Sequence, residues 1–278
     1  MPFDVSQLEL EQVWYESKDR TRVPMFLFHK KGLKVDGANP IILTGYGGFN
    51  LSETPRYSAA YLLWAERGGI VAMPNLRGGG EFGEEWHRAG MLGKKQNVFD
   101  DFIAAAEYLI ANKYTSPAKL AIRGGSNGGL LVGAAMTQRP ELFRAVVCLY
   151  PLLDMLRFQK FLVAQTWVPE YGSADNSAQF EYLYAYSPYH HVAKDEKYPS
   201  ALFVTGDGDT RVAPLHARKM TALLQASTGS DKPILLLYDT KSGHSGGRPI
   251  RKQIEEETDV LGYLFWQLDV QGNSSGRD

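Results

Sequence analysis

The chain has 278 residues, room for one large α/β domain or two small ones, and its 44% hydrophobic and 22% charged content is the ordinary balance of a globular protein. A formal net charge of −1 gives no electrostatic basis for a nucleic-acid or anionic-membrane partner. The lone cysteine, Cys148, excludes an internal disulfide and a cysteine-based metal site; within Ala145-Val146-Val147-Cys148-Leu149 it reads as a buried structural thiol.

No apolar run reaches the roughly 18 residues of a membrane span. Met1-Pro2-Phe3-Asp4 shows neither a basic n-region nor an apolar h-region, so a cytoplasmic protein is expected. Residues 10–15 and 23–28 flank the polar stretch 17–21 and predict an opening antiparallel hairpin. Ile41-Ile42-Leu43 predicts a buried strand that runs into the glycine-rich Thr44-Gly45-Tyr46-Gly47-Gly48-Phe49-Asn50. Glycines after a central strand let backbone approach a ligand. Tyr46 could offer its phenol there or simply pack in the turn; the residues alone leave both open.

A helix is expected over 57–66, stopped by Gly68-Gly69, then a strand over 70–73. The loop 76–83 is rich in glycine but lacks the Lys-Ser/Thr ending of a phosphate loop. Helical spacing of Phe102, Ile103, Ala106 and Leu109 predicts a helix over 100–111. Lys119-Leu120-Ala121-Ile122 then reads as a strand, Leu130 to Met136 as a helix, and Gly124-x-Ser126-x-Gly128 between them as a nucleophile elbow. A strand follows over 145–149. Residues 151–199 show no strand pattern but many aromatics, among them Phe158, Trp167, Tyr171, Phe180, Tyr184 and Tyr186, as expected of inserted helices above the sheet edge. Strands over 201–205 and 233–238 alternate with helices over 215–225 and 250–268, before a polar tail over 271–278. The run predicts one α/β domain over 1–278: a mainly parallel central sheet with helices on both faces.

Three groups with acid–base chemistry then fall after successive strands: Ser126, Asp207 or Asp209, and His244. Serine has no useful alkoxide at neutral pH, so an imidazole must take its proton, and a carboxylate must fix the imidazole's tautomer. The order Ser, Asp, His is that of α/β-hydrolases. His29, His87, His190, His191 and His216 are alternatives, but only His244 follows the last strand among small residues. Strand position does not separate Asp207 from Asp209. No His-x-x-x-His or similar cluster suggests a metal.

With these motifs the chain resembles the catalytic domain of the prolyl oligopeptidase family, serine peptidases that cut short peptides after proline. The similarity runs from about Trp14 to Leu268. It rests on Gly45-Tyr46-Gly47-Gly48-Phe49-Asn50, Asn75-Leu76-Arg77-Gly78-Gly79-Gly80-Glu81, Gly124-Gly125-Ser126-Asn127-Gly128-Gly129, Asp209-Thr210-Arg211-Val212 and Gly243-His244. The resemblance implies an α/β-hydrolase fold, no cofactor and a triad of Ser126, Asp209 and His244. It implies Tyr46 and the Asn127 backbone N–H as oxyanion donors. It also implies a proline pocket of Phe49, Trp167, Tyr171 and Val212, with Trp167 stacked on the proline ring and Arg211 on a substrate carbonyl. The family's β-propeller and N-terminal segment are not seen in this sequence. An uncovered site would accept bulkier substrates, including non-peptide esters, besides short peptides, and the bare surface would favour a homo-oligomer. The competing expectations are a stand-alone carboxylesterase and a non-catalytic hydrolase fold serving as an interaction module; the latter usually loses a triad member, whereas all three are here.

Overall fold

Alternation dictates the first two strands. In Arg22–Lys30 (β2) every second residue, Val23, Met25 and Leu27, is fully buried, and the strand pairs antiparallel with Leu8–Glu16 (β1) through Leu10↔Phe28 and Tyr15↔Val23. The computed structural model describes residues 4–240, 243–244 and 249–270. The expectations for residues 1–3, for Ser245, Gly246 and Gly247 beside the histidine, and for the tail 271–278 fall outside these.

The remaining strands are Ile41–Thr44 (β3), Ile70–Pro74 (β4), Leu120–Gly125 (β5), Ala145–Leu149 (β6), Ser200–Gly206 (β7) and Ile234–Asp239 (β8). They form one eight-stranded sheet in the order β1-β2-β4-β3-β5-β6-β7-β8, antiparallel at β1-β2 and β2-β4 and parallel at every later pairing. Every residue of β4 and β7 is buried. That is why these strands read as unbroken apolar runs: parallel strands are covered on both faces.

The helices supply the covers. Ala59–Glu66 (α1) and Ile250–Leu268 (α8) bring Trp64, Val260 and Leu264 to one face. Gln96–Ala111 (α3), Asn127–Gln138 (α4) and Leu215–Ser227 (α7) bring Phe99, Phe102, Leu130, Leu131 and Met220 to the other. The expected α/β architecture is therefore present. Boundaries shift for local reasons. α1 starts two residues late because Ser58 Oγ caps it, accepting from the Tyr61 N–H at 3.4 Å. α4 starts at Asn127, because the glycines of the elbow form its first turn. Glu84–Arg88 (α2) is a short helix in the loop after β4 that periodicity does not reveal.

Between β6 and β7 the chain makes two short helices, Val168–Tyr171 (α5) and Ser177–Tyr186 (α6), among single 3₁₀ turns. Phe158, Tyr171 and Tyr186 are buried there, whereas Phe180 and Tyr184 are exposed and stack on each other at 5.9 Å.

The glycine-rich loop after β4 has an ionic anchor. Arg77 Nη2 donates to Asp101 Oδ1 at 2.6 Å and its backbone N–H to Asp101 Oδ2 at 3.0 Å, with Asp101 fully buried on α3. Ser17 and Asp19 of the β1–β2 turn take the rest of the guanidinium. Removing one partner of a buried pair leaves the other charge uncompensated. Asp101→Ala is therefore expected to lower the unfolding free energy by about 3–5 kcal/mol in urea titrations. A change below about 1 kcal/mol, the range of exposed pairs, would contradict this.

Candidate active site

The site is built where β5 turns into α4. Ser126 has φ 56° and ψ −117°, a conformation that side chains rarely adopt, so its presence at a tight turn marks a held geometry. The flanking glycines are sterically required. A Cβ on Gly124 would lie 2.0 Å from the Gly128 carbonyl oxygen, and one on Gly128 would lie 2.7 Å from the Gly45 carbonyl oxygen. The turn is tied down by the Ser126 N–H donating to Leu149 O at 2.9 Å. The Ser126 side chain therefore stands at the C-terminal edge of the sheet, at the N-terminus of α4.

Two other strands bring their loops to the same edge. After β7, Asp209 is buried, and its Oδ1 accepts the Arg211 and Val212 N–H groups, each at 2.9 Å. Its Oδ2 accepts from His244 Nδ1, in the loop after β8, at 2.7 Å. Asp207 is exposed and accepts instead from the Tyr238 hydroxyl. Of the two carboxylates that strand position leaves open, Asp209 is the one hydrogen-bonded to His244. Tyr150 packs edge-on against the His244 ring at 5.4 Å. Ser126 and His244 line one cavity of about 860 Å³ with Tyr46, Arg123 and Glu53.

The loop after β3 carries Tyr46 over the serine. Burial raises the pKa of its phenol, opposed by the Ser126 hydroxyl and the Arg211 guanidinium, so the phenol stays a proton donor. Asn127, first residue of α4, offers a backbone N–H that has no acceptor within the helix. Its side chain joins two walls of the site: Nδ2 donates to Tyr46 O at 2.5 Å, and Oδ1 accepts from the Tyr171 hydroxyl at 2.7 Å.

A second, smaller cavity of about 270 Å³ shares Tyr46, Ser126 and Arg211 with the first, and adds Phe49, Leu152, Thr166, Trp167 and Tyr171. Phe49 meets Tyr171 edge-on at 5.5 Å, and Phe158 backs Tyr171 at 5.3 Å. Val212, expected in this wall, is buried behind it and lines neither cavity; its backbone N–H is held by Asp209. Four of the alternative histidines are bound elsewhere. His216 is buried, accepts the Asp154 N–H at 3.1 Å and is pushed down to about 4 by burial. His29 sits by Glu11, His190 by Ser187, and His191 by the Tyr184 carbonyl.

Against this geometry, residues 55–271 match the model of the prolyl oligopeptidase family. The chain belongs to that family. It is 47% identical over 262 residues to a prolyl endopeptidase of Elizabethkingia meningoseptica, covering 94% of this chain and 37% of the relative. It is 46% identical over 277 residues to a prolyl endopeptidase of Dictyostelium discoideum, covering 98% of this chain and 36% of the relative. A solved chain from a study of two prolyl endopeptidases superposes with a TM-score of 0.95 at 54% identity, over 98% of this chain and 40% of that one. The chain thus spans little more than a third of the length of the curated relatives it matches, and the matched part is their α/β-hydrolase domain.

The expected site residues, Val212 excepted, meet here from five loops, after β3, β5, β7 and β8 and in the insertion before β7. Other residues at the site carry no motif signal: Leu152 and Thr166 in the smaller cavity, and behind it the buried pair Lys95 and Glu170 with the half-buried His87. The sequence hint for the last is slight: a charge, Glu170, between a proline and an aromatic in an otherwise apolar stretch.

Proposed function

We propose that this chain carries the catalytic centre of a serine peptidase that cleaves short peptides after proline through an acyl-enzyme on Ser126. One observation supports this above the rest: a buried carboxylate, Asp209, holds His244 Nδ1 at 2.7 Å in the cavity onto which the strained Ser126 opens.

The steps follow from that arrangement. With Nδ1–H bound to Asp209, the tautomer leaves Nε2 free to take the Ser126 proton as Oγ bonds to the scissile carbonyl carbon. The carbonyl electron pair moves onto oxygen, facing the Tyr46 O–H and the Asn127 N–H. Collapse of the adduct breaks the C–N bond, and the imidazolium returns its proton to the leaving amine. Water then enters, gives a proton to His244, and releases the acid by the same route.

The two cavities suggest how a substrate lies. His244 lines only the larger one, so the leaving group belongs there, and the acyl side belongs in the aromatic cavity, where an indole and a phenyl ring suit a flat apolar ring such as proline. An ester differs only in the leaving atom, and an alkoxide needs less protonation than an amine. Short-chain esters are therefore substrates on the same reading.

The test compares kcat/KM for a Gly-Pro anilide, a Gly-Ala anilide and a short-chain p-nitrophenyl ester. Preference for the prolyl anilide supports the proposal. Turnover of the ester alone would make the chain a carboxylesterase. Folded protein inert to all three would make it a non-catalytic module. In the same assay Tyr46→Phe, which removes one hydroxyl, is expected to cost about 2.7–4 kcal/mol of transition-state stabilisation, mostly in kcat. An unchanged kcat would reduce Tyr46 to packing.

A further inference from the structure

Behind the aromatic cavity lies a buried ionic cluster that the serine chemistry does not use. Lys95 is 1% exposed at its side chain and Glu170 5%. Lys95 Nζ donates to the Gly47 carbonyl at 2.9 Å, stands 3.5 Å from Glu170 Oε1, and lies 5.3 Å from the centre of the Tyr171 ring. Glu170 Oε1 accepts the Phe49 N–H at 3.1 Å, and its Oε2 accepts from His87 Nε2 at 2.8 Å. Lysine and glutamate thus grip the loop after β3 on either side of Gly48.

That loop needs holding. Gly47, Phe49 and Asn50 have φ of 64°, 58° and 56°, and a bulky aromatic in this region persists only where its surroundings over-determine it. The same loop carries Tyr46 and presents Phe49 to the cavity. Holding this loop is what offsets the cost of the lysine. A buried ammonium is expensive, and at the N-terminus of α3 a positive charge opposes the helix dipole.

We infer that Lys95 and Glu170 are positioning residues, a charged clamp that fixes loop 45–50 so that the Tyr46 phenol and the Phe49 ring meet the substrate in register. The inference rests on the proposed serine chemistry for its catalytic consequence. Burial also brings the Lys95 ammonium down to about 8, against the opposing pull of Glu170. The groups facing the clamp are Glu170 and Tyr171 on α5, His87 on α2 with Glu84 at its other nitrogen, Tyr46 in the loop and Tyr186 on α6. Loss of the Lys95 proton leaves Glu170 without its cation, so the clamp weakens on the alkaline side.

The test is amide hydrogen exchange of peptides covering 46–51 in the whole chain, corrected for intrinsic exchange and read beside kcat per fluorophosphonate-titrated site. Lys95→Met and Glu170→Gln are expected to raise exchange at 46–51 by about 10- to 100-fold, the loss of one charge-assisted hydrogen bond, while 120–138 stays protected. Their kcat for a prolyl anilide should fall by a similar factor at each titrated site, with KM changing less. A residue needed only for folding would instead lower the titrated fraction. Wild-type protection at 46–51 should decline as the pH passes about 8, the expected proton loss from Lys95, and the decline should be absent in Lys95→Met. Wild-type protection at 46–51 no greater than that of the exposed loop 34–38 overturns the clamp even if a variant fails to fold. So does a variant that exchanges and turns over like wild type. Wild-type protein that neither labels nor hydrolyses the anilide defeats the serine-peptidase reading, and the exchange profile then decides the clamp by itself.

Discussion

Ser126→Ala is expected to lower kcat for a prolyl anilide by about 10⁶-fold, since removing the nucleophile of such a triad costs roughly as much as removing all its members. The substitution takes away one oxygen and leaves the elbow. Alanine accepts the 56° φ no worse than serine, and the glycines at 124 and 128 still allow the close approach of the turn to α4 and to Gly45. Folding should therefore be unchanged by circular dichroism, and the loss should lie in the chemical step. Residual catalysis of about 10³–10⁴ over water would come from the oxyanion donors and binding. A drop of less than about tenfold would mean that another group attacks the carbonyl.

The second large effect is expected at the carboxylate. Asp209→Asn should cost about 10⁴-fold in kcat, while Asp207→Asn should cost less than about tenfold. The asymmetry follows from the hydrogen bonds. Asp209 Oδ1 accepts the N–H groups of Arg211 and Val212, so an asparagine must keep its oxygen there and turn its NH₂ toward His244 Nδ1. That forces the proton onto Nε2, and the imidazole can no longer take one from Ser126. Asp207 faces the Tyr238 hydroxyl at an exposed position, where a lost charge is screened by water. The opposite ranking in steady-state kinetics would place the working acid at Asp207.

Much of this was legible in the chain. The sheet followed from apolar runs that a covered parallel strand must have, and the elbow followed from glycines that crowding demands. Less was readable where chemistry depends on distance in sequence. Asp207 and Asp209 share one loop, and only the local bonds of Asp209 to two following amides separate them. Family resemblance pointed to Asp209, the carboxylate to which His244 is bonded, and also to Val212 in the pocket wall, although Val212 lines neither cavity. The aromatics between β6 and β7 follow no single period because they split between packing, as Phe158 and Tyr186 do, and the cavity, as Trp167 does. Lys95 and Glu170 lie 75 residues apart and His87 another element away, so their meeting is a product of the tertiary fold alone.

On the proposed mechanism the fold, the loop and the nucleophile act through one acyl-enzyme, and trapping it is the most direct measurement. Wild-type protein mixed with a prolyl ester and quenched in acid should carry a prolyl-acyl mass on the peptide containing Ser126. The adduct should be absent from Ser126→Ala and should accumulate in preference to that from the matching alanyl ester. An adduct on another residue, or none from protein that still turns the substrate over, would contradict an acyl-enzyme at Ser126.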